Sequence, residues 1–209
     1  MKGKEELIID TDRTALLLLH WQNELAHPDG KLSDPIFKII KKAGTIEKTQ
    51  QVLKAGRNSS MFIAYVNAAH RPGYPEMPAS PSPMSEGLKT AKAFLKGTWG
   101  AEIIDELKPL ENEIIVINPA MSGFIYSDLE LLLRNRGISR IVLTGIATNW
   151  VIESTARDAF NRGYSVYTLS DCCNSPIEEA HNYCIRNTLP ILGSVIDSKS
   201  FIKALKKNR

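Results

Sequence analysis

Short, unbroken apolar runs set the tightest limit on what this chain can fold into. Residues 15–19 (ALLLL), 61–66 (MFIAYV), 114–117 (IIVI) and 141–143 (IVL) carry no interposed polar side chain, and residues 164–169 and 194–196 complete the set. A strand with one face in water alternates apolar and polar residues. An unbroken run marks a strand covered on both faces, as in a parallel sheet. Helical patterns lie between the runs along the whole length. That alternation implies right-handed βαβ crossovers and a doubly wound α/β fold. No internal repeat or linker divides the chain, so it reads as a single domain over residues 1–209.

Several helix signals are readable. Asp34-Pro35 sets a capping residue before a proline suited to a first helical turn, which predicts one helix over residues 35–58. Ser127 with Glu130, and Ser175 with Glu178, have the spacing of capping boxes. From Val151, side chains at Ile152, Thr155, Ala156, Ala159 and Phe160 form one helical stripe. Gly137 and Gly163 terminate helices by accepting the left-handed conformation. Residues 67–100 hold five of the eleven prolines. They read as a long irregular loop poor in helix, either functional or a contact between subunits.

Composition excludes several classes. With 43% hydrophobic and 23% charged residues the chain is neither disordered nor fibrous. Its net charge of +3 (26 Lys and Arg against 23 Asp and Glu) is dispersed apart from Lys206, Lys207 and Arg209, so nucleic acid is not an expected partner. No apolar stretch of membrane-spanning length is present, and no membrane partner is expected. Three cysteines without metal-type spacing exclude a disulfide scaffold and imply neither a metal nor another cofactor. The expected setting is a reducing, cytoplasmic one.

In open α/β sheets ligands sit beyond the carboxyl ends of the strands. The segments that follow the apolar runs are therefore the candidates: residues 20–24, 67–71, 118–124, 145–151 and 171–174.

Three of these segments carry a resemblance. The run Leu19-His20-Trp21-Gln22-Asn23 is similar to a strand ending in Asp-x-Gln-Asn. Asn118, four residues before Ser122-Gly123-Phe124, matches a place where a Lys precedes Ser-x-Phe. Residues 143–159, LTGIATNWVIESTARDA, are similar to a long Thr-Gly-x-x-Thr-Asn-x-Cys-Val-x-x-Thr-Ala-x-Asp-Ala motif. Together they resemble the isochorismatase-like family, also called the cysteine hydrolase superfamily, over residues 13–196. The resemblance implies an isochorismatase-like hydrolase fold: a doubly wound, mostly parallel sheet of about six strands with helices on both faces. It also implies a homo-oligomer, a dimer or tetramer. Family members hydrolyse small amides or a vinyl ether with an Asp, a Lys and a nucleophilic Cys. Backbone N–H groups beside a cis peptide bind the oxyanion.

All three catalytic positions depart from that pattern. His20 stands for the Asp, Asn118 for the Lys and Val151 for the Cys. Valine offers no nucleophile, so the thiol mechanism is excluded at that position. Two function classes follow. One is a degenerate relative that keeps the pocket for a small-molecule ligand or serves as an oligomeric partner. The other is a divergent hydrolase of a small amide or vinyl ether, with His20 as acid or base and water as nucleophile. It requires an open cleft at His20, and a pocket filled by Trp21 and Trp150 would exclude it. The expected ligand-binding residues are Trp21, His70, Arg71, Phe124, Gly145, Ile146, Ala147, Thr148 and Trp150. Glu24 either orients His20 or is an exposed acid. Gln22 and Asn23 read as structural. Cys172 is either a relocated nucleophile or, with Cys173, a small core residue. Cys184 reads as core, and His27 and His181 as exposed.

Overall fold

A computed structural model describes residues 7–206. The strands are β1 (Thr14–Leu19), β2 (Phe62–Asn67), β3 (Ile114–Ile117), β4 (Arg140–Ile146), β5 (Ser165–Asn174) and β6 (Gly193–Ile196). The helices are α1 (Asn23–Ala26), α2 (Ile36–Ala43), α3 (Thr45–Asn58), α4 (Pro83–Ala91), α5 (Leu129–Asn135), α6 (Glu153–Asn161), α7 (Glu178–Tyr183), α8 (Leu189–Leu192) and α9 (Ser198–Lys206). All strand pairings are parallel, in the order β3-β2-β1-β4-β5-β6. Each apolar run forms a strand, and the doubly wound sheet expected from the sequence is present.

The central strand shows why its run is unbroken. Every residue of β1 is buried. Leu16 and Leu18 point into one apolar layer, with Ile36 and Ile40 of α2, Val52 and Leu53 of α3, and Phe201 and Leu205 of α9. Ala15, Leu17 and Leu19 point into the other, with Leu129 and Leu133 of α5 and Ala156 and Ala159 of α6. Successive strand residues face opposite sides, so both parities must be apolar. Truncating one of these leucines, as in Leu18→Ala, costs about 2–5 kcal/mol through lost burial and the cavity left behind.

Local signals were overridden in several places. The single helix over residues 35–58 is two helices, broken where Gly44 takes the left-handed conformation (φ 64°). Asp34-Pro35 is a cis peptide rather than a cap followed by a first-turn proline. The Ser127 box does not form: its hydroxyl accepts from the Leu129 N–H rather than that of Glu130, and Glu130 pairs with Arg134 and Arg162. The Ser175 hydroxyl donates to Asn149 and accepts from the Ile177 N–H, one residue short of the Glu178 N–H that a capping box requires. Residues 67–100 are not helix-free: α4 starts at Ser82, in a reciprocal capping box with Ser85 and with Pro83 in its first turn. Phe160, placed on the buried stripe of α6, is 53% exposed.

Candidate functional site

Strand order places β1 beside β4, and the chain winds outward from that pair in opposite directions. In doubly wound sheets the crevice at such a switch point is where ligands sit. His20 follows β1 there, and Gly145 and Ile146 end β4. Gly145 lies opposite Leu19, with φ 147°. A Cβ at this position would stand 2.1 Å from the Leu19 carbonyl oxygen, so only glycine fits. The Ile146–Ala147 peptide is cis, where the family resemblance placed one. A π-helical turn, Thr148–Ile152, then leads into α6.

The turn is tied to the loop and helix after β5. Thr148 is buried, and its hydroxyl lies 2.8 Å from Nδ1 of His181. The Ser175 hydroxyl donates to the Asn149 side-chain oxygen at 2.7 Å. His181 is therefore half-buried rather than free in solvent, and burial lowers its pKa. The readable signal was its place on the helix that follows a strand end.

His20 sits in the left-handed region (φ 54°), held by its backbone N–H donating to Val66 at 2.9 Å. Its Nε2 is covered and has no hydrogen-bond partner. Burial, and then the proximity of His70, push its pKa down to about 4. The imidazole is uncharged at neutral pH. His70 is 2% exposed and its Nδ1 is likewise covered and unpartnered. Burial lowers its pKa against the opposing pull of Glu76. The backbone of His70 bonds to Phe94 and Lys96, which brings Phe94 to 6.4 Å from the His20 ring.

Gln22 and Asn23 are stitches, as their sequence context suggested. The Gln22 amide donates to Ala68 and Ala101 and accepts from Ala68, and Asn23 donates to Trp99. Glu24 is neither an exposed acid nor hydrogen-bonded to His20. It is 1% exposed, 3.5 Å from Lys31, and packed so closely on Gly100 that a Cβ there would lie 1.9 Å from its carboxylate.

Asn118 is fully buried and acts as a clasp. Its Nδ2 donates to the Ser122 carbonyl at 2.6 Å and the Ile125 carbonyl at 2.8 Å, and its Oδ1 has no partner. Val151 is 2% exposed in the same apolar layer as Leu17 and Leu19. Trp21 is fully buried in the opposite layer, its indole N–H donating to Thr144. Phe124 packs in the core against Tyr164. Trp150 is 37% exposed, and Arg71 points outward to Glu76 at 3.4 Å. Thus His20, Gly145, Ile146, Ala147 and Thr148 gather at the switch point, while Trp21 and Phe124 serve as packing. Cys172, Cys173 and Cys184 are free and buried. Burial pushes the Cys172 and Cys184 thiols up to about 12, so neither is a ready thiolate.

Two cavities lie elsewhere on the surface. One, of about 290 Å³, is bordered by Thr45, Lys48, Asp171, Asn174 and His181. The other, of about 310 Å³, is bordered by Asn23, His27, Trp99 and Glu102. His20, Asn118 and Val151 line neither. Among the described residues no group of three or more His, Cys, Asp or Glu side chains could hold a metal, and no helix is long and apolar enough to cross a membrane. The basic cluster at Lys207 and Arg209 lies outside the described residues, as does the Lys206 side chain.

Comparison with known proteins agrees with this geometry. Residues 14–200 match the family model described as the Isochorismatase domain. Ureidoacrylate amidohydrolase RutB of Acinetobacter baylyi is 32% identical over 223 aligned positions, covering 100% of this chain and 91% of the relative. An isochorismatase-like hydrolase from Alkaliphilus metalliredigens superposes with a TM-score of 0.78 at 32% identity, covering 92% of this chain and 98% of that one. N-carbamoylsarcosine amidase from Thermoplasma acidophilum superposes at 0.72 with 26% identity, covering 89% and 96%.

Proposed function

The chain belongs to the isochorismatase family of hydrolase-like α/β proteins, and from that premise we propose that it binds a small amide or ureide at the β1/β4 switch point without cleaving it through a thiol intermediate. One observation carries this reading: Val151, where the family motif has its cysteine, is a buried hydrocarbon in the apolar layer behind the turn. It has no lone pair with which to attack a carbonyl. The positions of the family Asp and Lys are held by His20, uncharged at neutral pH, and by Asn118, whose amide is spent on two loop carbonyls. The site thus lacks a nucleophile, a carboxylate and an ammonium at once.

The turn that would cradle a carbonyl oxygen is nevertheless built: the cis peptide, Gly145 and the anchored Thr148 are all in place. A preorganised set of backbone N–H groups binds a polarised carbonyl whether or not bond cleavage follows. The ligand class follows from the relatives, two of which are named for acting on N-carbamoyl compounds.

The competing reading makes His20 a base that activates water, and its unpartnered Nε2 favours it. A pKa of about 4 makes His20 a weak base at neutral pH, since general-base efficiency falls as pKa drops below the working pH. Calorimetric titration with N-carbamoyl amino acids, nicotinamide and simple ureas, followed by mass analysis of the recovered ligand, separates the two. Saturable heat with intact ligand supports binding. Carbamoyl or ammonia release that disappears in His20→Asn would establish the hydrolase.

A further inference from the structure

One of the two surface cavities has a single electrical character. It measures about 310 Å³, near the lower end of the range of about 300–1,000 Å³ that small ligands occupy, and no switch-point residue borders it. Asn23, at the start of α1, builds it. Its backbone N–H donates to the Glu102 carbonyl at 2.8 Å, its Nδ2 donates to the Trp99 carbonyl at 2.9 Å, and Gln22 bridges to Ile103. These bonds hold residues 99–106 against α1. Trp99 is left 46% exposed on the cavity wall, with the His27 ring perpendicular to it at 4.9 Å. Glu102, Asp105 and Glu106 complete the rim, and among the described residues none of their carboxylates meets a hydrogen-bond donor or a cation. Exposed acids alone form only a solvated rim, but Asn23 adds a buried group that asks for a ligand. It is 6% exposed, its Nδ2 is spent on Trp99, and its Oδ1 accepts from no protein group. That oxygen is not among the covered atoms that lack partners, so it meets the cavity. A nearly buried amide with an idle acceptor is uncommon in native folds.

We infer that this cavity binds a guanidinium group, carried either by a free small guanidine or by an arginine side chain of another protein. The site lies apart from the switch point, and the inference does not depend on what binds there. Acceptors dominate the lining: Asn23 Oδ1 and three carboxylates, with no Lys or Arg among the residues that border it. A guanidinium is their complement, since it has five N–H donors and no acceptor. Its planar fork pairs with a carboxylate through two parallel hydrogen bonds, and its flat face stacks on an indole. An alkylammonium matches the charge but has neither the fork nor the flat face. The other cavity sets Lys48 beside Asp171 and so favours no one sign of ligand.

The test uses the full chain with butylguanidinium and butylammonium as matched probes. Affinity is read by calorimetric titration. Location is read from the Trp99 indole N–H resonance, assigned by its absence in Trp99→Leu. Butylguanidinium should saturate with a Kd of about 1 mM or lower and shift that resonance, and butylammonium should bind about threefold more weakly or worse. Trp99→Leu should weaken butylguanidinium about 3- to 10-fold, and Trp99→Phe, which keeps a ring, should recover most of the loss. Glu102→Gln, Asp105→Asn and Glu106→Gln together should weaken it about tenfold. All four side chains are exposed, so an unchanged thermal midpoint verifies that the variants fold. A blocked Gly-Arg-Gly tripeptide carries the same single charge: tighter binding than butylguanidinium assigns the site to an arginine of a partner protein, and weaker binding assigns it to a free guanidine. The absence of saturable butylguanidinium binding overturns the site, as does equal or tighter butylammonium binding. So does binding that leaves the Trp99 resonance unmoved, or that is indifferent to Trp99→Leu or to loss of the three carboxylates.

Discussion

Acidification should destabilise this protein through His20, and the size of the effect can be worked out. The folded imidazole titrates near 4 against an ordinary value of 6.5. Below pH 6.5 the unfolded chain takes up a proton that the folded chain refuses, so stability falls with pH until the folded group also protonates near 4. Its contribution is complete above about pH 6.5 and lost progressively below it. From pH 7.5 to 4.5 this linkage removes about 2.5 kcal/mol. His70 and His181 are shifted in the same direction and add to the loss. His20→Asn isolates the term, because asparagine tolerates the left-handed backbone at this position. With a urea dependence of about 2 kcal/mol per molar, the wild-type midpoint should drop about 1 M more than that of the variant across this range. Urea unfolding at four pH values checks it. Parallel pH profiles for wild type and His20→Asn would refute an uncharged, half-buried His20 imidazole with a covered Nε2.

Three further outcomes follow. Gly145→Ala forces a Cβ against the Leu19 carbonyl at an unfavourable φ, and should cost about 3 kcal/mol or more, seen as a fall in thermal midpoint. Iodoacetamide at pH 7.5 should leave all three cysteines unlabelled in the native protein and label all three after unfolding, as read by intact mass. Rapid native labelling of Cys172 would restore it as a relocated nucleophile. Val151→Cys, close in volume, should fold with a loss under about 1.5 kcal/mol yet hydrolyse no ureide. Only His20→Asp, Asn118→Lys and Val151→Cys together should confer turnover, because each partner position lacks its charged group.

The sheet was legible because parallel strands need both parities apolar, and residues 15–19 satisfy that without exception. The candidate site was sought by the same pattern, since ligands in such sheets sit beyond strand ends. What escaped the sequence was decided by tertiary partners. Ser127 and Ser175 have capping spacing but accept from Leu129 and Ile177 instead of Glu130 and Glu178, while their hydroxyls donate to Gly123 and Asn149. Glu24 looked solvated, and its burial depends on Gly100, far along the chain, which leaves room for a carboxylate where a side chain would collide. Trp21 read as pocket lining because it adjoins His20, yet the left-handed backbone at His20 breaks the strand alternation and turns Trp21 into the layer of Leu16 and Leu18 rather than that of Leu17 and Leu19. Two signals were present and outweighed: Gly44 at the break between α2 and α3, and Ser82-Pro83 opening α4 amid the prolines.

On the proposed reading the switch-point crevice holds its ligand without hydrolysing it, by a thiol or by water. The most direct test is a long incubation of stoichiometric protein with carbonyl-13C-labelled N-carbamoyl and amide compounds, in H2 18O, with mass analysis of both ligand and protein. The triple variant at positions 20, 118 and 151 runs beside it as the comparison. The account predicts intact, unlabelled ligand and unmodified wild-type protein. Ligand that has gained 18O, or wild-type protein carrying an acyl adduct, would contradict it.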